Sequence, residues 1–179
     1  MALCVALGLK AYVAQAFFIP SGSMEPQLEV GDRVIVSRTA YRLHDVRRGD
    51  IVVFESPNAV APDDGLVERV AKDLLETVAL RKPSDDQLIK RVVGLPGESI
   101  SAQDGHVVID GRSVVEPYLP DGSATADFGP VTIPVGHVFV MGDNRTNSAD
   151  SRVIGTIEVD AIVGRAIARI WPPGRTAFL

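Results

Sequence analysis

A single cysteine, Cys4, excludes any disulfide within this chain. The histidines are few, and His44, His106 and His137 are scattered, so no Cys/His cluster of metal-site spacing exists. Basic excess is missing too: the net charge of −5 argues against nucleic acid as the main partner, because phosphate binding wants a basic face. There is also no uninterrupted apolar run of the roughly 20 residues a spanning helix needs. Residues 2–19 come closest, apolar except for Lys10 and Gln15. A mid-segment lysine costs about 2.5–3.5 kcal/mol on insertion scales. A cleaved leader would place basic residues first and end in a small-x-small site. Here no charge precedes Lys10, and Ala14-Gln15-Ala16 is the one Ala-x-Ala site within 2–19. Flanking charges are too few to set an orientation. Internal repeats and low-complexity runs are absent as well.

What is present reads as short strands. With 12 prolines and 16 glycines in 179 residues, many turns are expected, in a chain long enough for one domain with a sizeable core. Arg33–Ser37 and Ile51–Glu55 are rich in β-branched residues and follow Gly-Asp pairs. Ile89–Val93 holds a lysine inside an apolar run. Asp104-Gly105 and Asp110-Gly111 bracket His106–Ile109 with tight-turn chemistry. His137–Met141 is another strand, and Ala161–Trp171 a longer one ended by Pro172-Pro173. One stretch breaks the pattern. Pro62-Asp63-Asp64 offers a helix start, and Leu66, Val67, Val70, Leu74, Leu75 and Val78 recur at helical spacing. With Lys72, Asp73 and Glu76 opposite, this reads as a surface helix packed on the domain.

The candidate chemistry starts from serine. A serine hydroxyl is a weak nucleophile and needs a base within hydrogen-bond reach. None of the histidines lies in a segment suited to that role. A lysine serves instead if burial among apolar groups lowers its pKa from about 10.4 towards 7–8. Lys90 stands among Leu88, Ile89, Val92 and Val93. Taken alone, such a lysine is more often a snorkelling surface residue, and a Pro-Ser-Gly-Ser stretch is ordinary loop composition.

Three segments change that weighing when taken together. They are Pro-Ser-Gly-Ser-Met at 20–24, Lys-Arg-Val-Val-Gly-Leu-Pro-Gly at 90–97, and Met-Gly-Asp-Asn-Arg-Thr-Asn-Ser-Ala-Asp-Ser-Arg at 141–152. In this order they resemble the signature of type I signal peptidases, Ser–Lys dyad proteases of the bacterial leader peptidase family. The resemblance runs from about Gln15 to Arg165, leaving out 58–88. It implies that Ser23, before the methionine, is the nucleophile and Lys90 its general base. Ser21 then helps stabilise the oxyanion together with the Ser23 backbone N–H, a kind of donor worth about 2.7–4 kcal/mol. It further implies that Ser148 hydrogen-bonds and orients the lysine amine, while Asp150 and Arg152 form an ion pair that holds the loop. Gln27 departs from the usual threonine, and Thr146 stands where an aspartate is common.

The same resemblance implies a mainly β fold of two antiparallel sheets, with a small inserted β subdomain at about 97–135 and an N-terminal apolar helix. Residues 1–19 are then a membrane anchor, longer in the family, so that the chain begins partway through it with Lys10 at the membrane surface. The catalytic domain occupies 20–179, with a helical insertion at 58–88. Gln15–Ile19 and the strand before Lys90 are expected to present backbone edges to an extended peptide. Ile19, Met24 and Leu28 are expected to line shallow apolar pockets for small side chains, as an Ala-x-Ala cut site requires. The implied protein is a serine endopeptidase of the cell membrane, single-pass, with its catalytic domain on the extracytoplasmic face. Its partners are the signal peptides of preproteins and membrane lipid, with no nucleic acid, cofactor or metal. A self-cleaving Ser–Lys repressor would carry a DNA-binding helical domain in front, where this chain is apolar. A non-catalytic, membrane-tethered peptide-binding β domain would have lost a reactive residue, and none is missing.

Overall fold

The computed structural model describes residues 14–57 and 87–179. The first strand, β1 (Ala14–Phe18), lies antiparallel to β2 (Arg33–Ser37), pairing Ala14 with Ser37 and Phe18 with Arg33. In β2 alternate residues Val34 and Val36 are buried, the period-two pattern of a strand with one face on the core. A short helix α1 (Ala40–Leu43) leads to β3 (Ile51–Glu55), in which Ile51, Val52, Val53 and Phe54 are all buried. Such a strand is covered on both faces, which is why its sequence is a continuous apolar run. β4 (Gln87–Gly94) pairs with β3, setting Lys90 opposite Val52.

Four strands then form a smaller sheet: β5 (Ser99–Gln103), β6 (His106–Ile109), β7 (Arg112–Ser113) and β8 (Phe128–Thr132), in the order β7-β6-β5-β8. Its hairpins turn at Asp104-Gly105 and Asp110-Gly111, where both residues of each pair have positive φ, from 49° to 83°. That is the backbone a tight hairpin needs, and Asp-Gly adopts it at low cost. The chain returns to the larger sheet through β9 (His137–Met141), a single-turn helix α2 (Ser151–Ile154), β10 (Ile157–Glu158), β11 (Ile162–Trp171) and β12 (Ala177–Phe178). Among the described residues the larger sheet has eight strands in the order β1-β2-β11-β3-β4-β9-β10, with β12 on β11. Every strand pair among the described residues is antiparallel.

One apolar cluster packs Phe17, Ile19, Met24 and Leu28 against Val34, Val36, Ile51, Val53 and Ile89. A second joins the sheets through Val93, Ile100, Ile133, Phe139 and Met141. These two clusters fix where β4 and its neighbours lie.

Two expectations need correction. The apolar helix expected over 1–19 does not include its last residues, because Ala14–Phe18 is strand β1. Hydrogen bonding to β2 and burial of Phe17 in the core hold this stretch extended. Residues 1–13 lie outside the described residues. The insertion expected at 58–88 ends earlier, since Gln87 and Leu88 belong to β4, and the helix expected within it lies outside the described residues. Among the described residues no helix is long and apolar enough to cross a membrane.

Candidate active site

Ser23 sits in a single 3-10 turn, Gly22–Met24, between β1 and β2. The turn closes through a Glu25 N–H bond to the Gly22 carbonyl at 3.2 Å, followed by Leu28 N–H to the Met24 carbonyl at 2.8 Å. Met24 is wholly buried and pins the turn to the core, which leaves Ser23 8% exposed. Lys90, on the central strand β4, is 2% exposed. Its Nζ donates to Ser23 Oγ at 2.8 Å and to the Ile89 carbonyl at 2.9 Å. Two residues 67 positions apart in sequence are thus within proton-transfer distance.

Burial is the main influence on this lysine. Loss of water around the ammonium lowers its pKa from 10.5 to about 8, while the nearby Asp150 and Asp143 carboxylates pull the other way. At pH 7 about one-tenth of the molecules then carry a neutral amine, able to accept a proton. Ser21, extended and exposed, places its Oγ 3.4 Å from Ser23 Oγ.

The loop after β9 holds Ser23 from the other side. Asn144 donates its backbone N–H to the Ser23 carbonyl at 3.1 Å and its Nδ2 to the Gly22 carbonyl at 3.1 Å. Gly142 allows this approach: a Cβ there would meet the Ser23 carbonyl oxygen at 2.4 Å and Ser148 Oγ at 2.3 Å. Three ion pairs fix the loop. Arg91 grips Asp143 through two bonds of 2.8 and 2.7 Å and stacks over the Tyr118 ring. Arg145 pairs with Glu116, and Arg152 pairs with Asp150 through two bonds of 2.8 Å. Asp150 is fully buried, which by itself would raise its pKa. The bonds from Arg152 and from the Gly142 N–H outweigh that and hold it below the usual carboxylate range. Ser151 Oγ accepts from the Val140 N–H at 2.9 Å and ties the loop back to β9.

Ser23, Lys90, Ser21, Ser148, Asp150 and Arg152 therefore lie in one neighbourhood, with two differences from expectation. Lys90 Nζ donates to Ser23 Oγ and the Ile89 carbonyl and makes no hydrogen bond to Ser148. Ser148 Oγ is buried without a well-aligned partner, against Gly142 and close enough to Asp150 to favour its charged form. Ile19, Met24 and Leu28, expected as pocket walls, are 1%, 0% and 0% exposed and belong to the core. They support the site from beneath and present no surface to a ligand.

Some members of the site carry a faint signal in sequence and some carry none. Arg91, Asp143, Asn144 and Arg145 lie inside the motif segments, beside residues already singled out. Glu116 and Tyr118 come from the connection between β7 and β8, and nothing local marks them. Two surface cavities of about 420 and 490 Å³ lie away from the dyad, beside Tyr41 and Arg48 respectively.

The family model for signal peptidase, peptidase S26, matches residues 1–171. The chain is 38% identical over 178 residues to a probable signal peptidase I-2 of Synechocystis sp., covering 99% of this chain and 72% of that protein. It is 38% identical over 180 residues to the signal peptidase I of Leptolyngbya laminosa, covering 100% and 79%. With the signal peptidase I of Mycobacterium tuberculosis it shares 34% over 197 residues, covering 92% and 67%. A solved signal peptidase I from Enterococcus faecalis V583 is 27% identical, with a TM-score of 0.49 over 68% of this chain and 97% of that one.

Proposed function

Because the chain belongs to the signal peptidase family, peptidase S26, we propose that Ser23 and Lys90 are the dyad with which it removes signal peptides from exported proteins. The observation that carries this assignment is the buried Lys90 Nζ, 2.8 Å from Ser23 Oγ and with its pKa lowered to about 8.

The chemistry follows from that contact. Neutral Lys90 takes the hydroxyl proton as Ser23 Oγ attacks the scissile carbonyl carbon. The Ser23 N–H and the Ser21 hydroxyl receive the developing oxyanion. As the C–N bond breaks, Lys90 returns the proton to the leaving amine, and an acyl-enzyme remains on Ser23. Lys90 then activates a water that hydrolyses the ester and frees Ser23. Nucleophile and base both come from the chain, so these steps call for no cofactor or metal.

The peptide has a place to lie. Among the described residues β1 pairs only with β2, and β4 meets β9 from Arg91 onward, so no strand pairs with its 87–89 stretch on that side, where the Ile89 carbonyl accepts Lys90 Nζ. An extended substrate adds to these edges by main-chain hydrogen bonds and brings a small residue ahead of the cut to the dyad, as in Ala-x-Ala. The family is membrane-associated. The finer reading is a single span, with the catalytic domain on the extracytoplasmic face and lipid as a partner.

The test is incubation of the purified protein in detergent or lipid with a preprotein carrying an Ala-x-Ala site. Cleavage after the final alanine is expected, lost in both Ser23→Ala and Lys90→Ala. Wild-type rates in either variant would refute the dyad.

A further inference from the structure

Of the two arginines in the 142–152 loop, Arg145 is the one whose counterion comes from outside the loop, on the connection between β7 and β8. Its side chain is 2% exposed, and the guanidinium bonds Glu116 through Nη1 at 2.8 Å and Nη2 at 2.5 Å, with the Glu116 side chain 8% exposed. Nη1 also reaches Thr125 Oγ1 at 2.7 Å, and the Tyr118 hydroxyl donates to Glu116 at 2.5 Å. Glu116, Tyr118 and Thr125 all lie on the chain between β7 and β8, 20 to 29 residues from Arg145. The connection between β7 and β8 therefore reaches back into the 142–152 loop through one buried carboxylate.

The contact is two steps from the nucleophile. Arg145 Nε donates to the Gly142 carbonyl at 3.2 Å, and the Arg145 carbonyl accepts Arg152 Nη1 at 2.8 Å. Its neighbour Asn144 holds the Ser23 and Gly22 carbonyls. Tyr118 adds a second line, because its ring covers Arg91, which grips Asp143. We propose that Glu116, supported by Tyr118, is a positioning residue for the dyad, acting through Arg145 to hold the 142–152 loop against Ser23. Remove its charge and a buried guanidinium loses its counterion, so the loop must shift to rehydrate it. A displacement near 1 Å at reacting groups costs about 100-fold in rate. Neither residue lies on the strand edges proposed for substrate, so the effect belongs in kcat.

This inference rests on the Ser23–Lys90 assignment, and one set of variants separates the two. Steady-state cleavage of an Ala-x-Ala preprotein is measured for wild type, Ser23→Ala, Glu116→Gln, Glu116→Asp, Tyr118→Phe, Arg145→Met and the Glu116→Gln/Arg145→Met double variant. Rates are normalised to the folded fraction measured by circular dichroism. Glu116→Gln is expected to lower kcat on the order of 10- to 100-fold with KM within about twofold. Glu116→Asp should recover part of that loss, and the double variant should be no slower than Arg145→Met alone. Tyr118→Phe, which keeps the ring over Arg91 and loses one bond, should fall a few-fold. Unchanged kcat in folded Glu116→Gln, a loss confined to KM, multiplicative losses in the double variant, or a defect that vanishes on normalisation would each overturn the proposal while leaving the dyad standing. If Glu116→Gln does not fold, an unchanged kcat in Tyr118→Phe overturns it. Activity in Ser23→Ala would overturn both.

Discussion

Replacing Lys90 with methionine should inactivate the enzyme and stabilise it at neutral pH. The reasoning starts from the pKa, which falls from 10.5 to about 8 because the amine is buried. That drop corresponds to roughly 3 kcal/mol of discrimination against the ammonium form in the folded chain. The group titrates lower folded than unfolded, so between pH 8 and 10.5 the unfolded chain binds more protons. Stability therefore rises with pH through that window. Below pH 8 the whole penalty of about 3 kcal/mol applies, and by pH 10 less than about 1 kcal/mol of it remains. Methionine fills similar space without charge. It forfeits the bonds to Ser23 Oγ and the Ile89 carbonyl, together worth about 1–2 kcal/mol. Lys90→Met should thus be about 1–2 kcal/mol more stable than wild type at pH 7, and no more stable at pH 10. Guanidinium unfolding of both proteins at the two pH values measures this, with other titrating groups cancelling in the difference. A gap between the proteins that does not change with pH would refute the buried, depressed lysine.

Other predictions draw on the same geometry. The kcat/KM of the wild type should climb on the alkaline side with an apparent pKa near 8, where a histidine base would switch on near 6.5; a pH–rate profile distinguishes them. Gly142→Ala drives a Cβ to 2.4 Å from the Ser23 carbonyl oxygen, so kcat should drop about 100-fold, read by steady-state cleavage of an Ala-x-Ala preprotein. Met24→Ala empties a fully buried site and should lower stability by about 2–5 kcal/mol. A change in preference for the residue before the cut, with stability unmoved, would show that Met24 faces substrate after all.

Much of the β framework is legible because its cues are local. Arg33–Ser37 alternates buried and half-buried residues as a one-sided strand must, and Ile51–Phe54 is apolar throughout because both faces are covered. The Asp-Gly turns announce their positive φ. Ala14–Phe18 fails for the opposite reason. An apolar run suits a helix or a strand equally, and only the β2 edge waiting beside it decides. Met24 and Leu28 fail similarly: nothing in an apolar side chain near a reactive serine tells a pocket wall from a core residue until the surrounding strands close over it.

By itself the sequence determined which reactive groups exist and in what order, and three motif segments sufficed to point to serine and lysine chemistry. It also showed the three histidines scattered, in no segment suited to a general base. Folding decided the rest. The 2.8 Å contact joins a turn to a strand 67 residues away, and Glu116 enters the site from the connection between β7 and β8. Lysine becomes a base only when water is excluded from its amine. That exclusion depends on the side chains that the fold packs around Lys90, and its neighbours in sequence alone do not supply it.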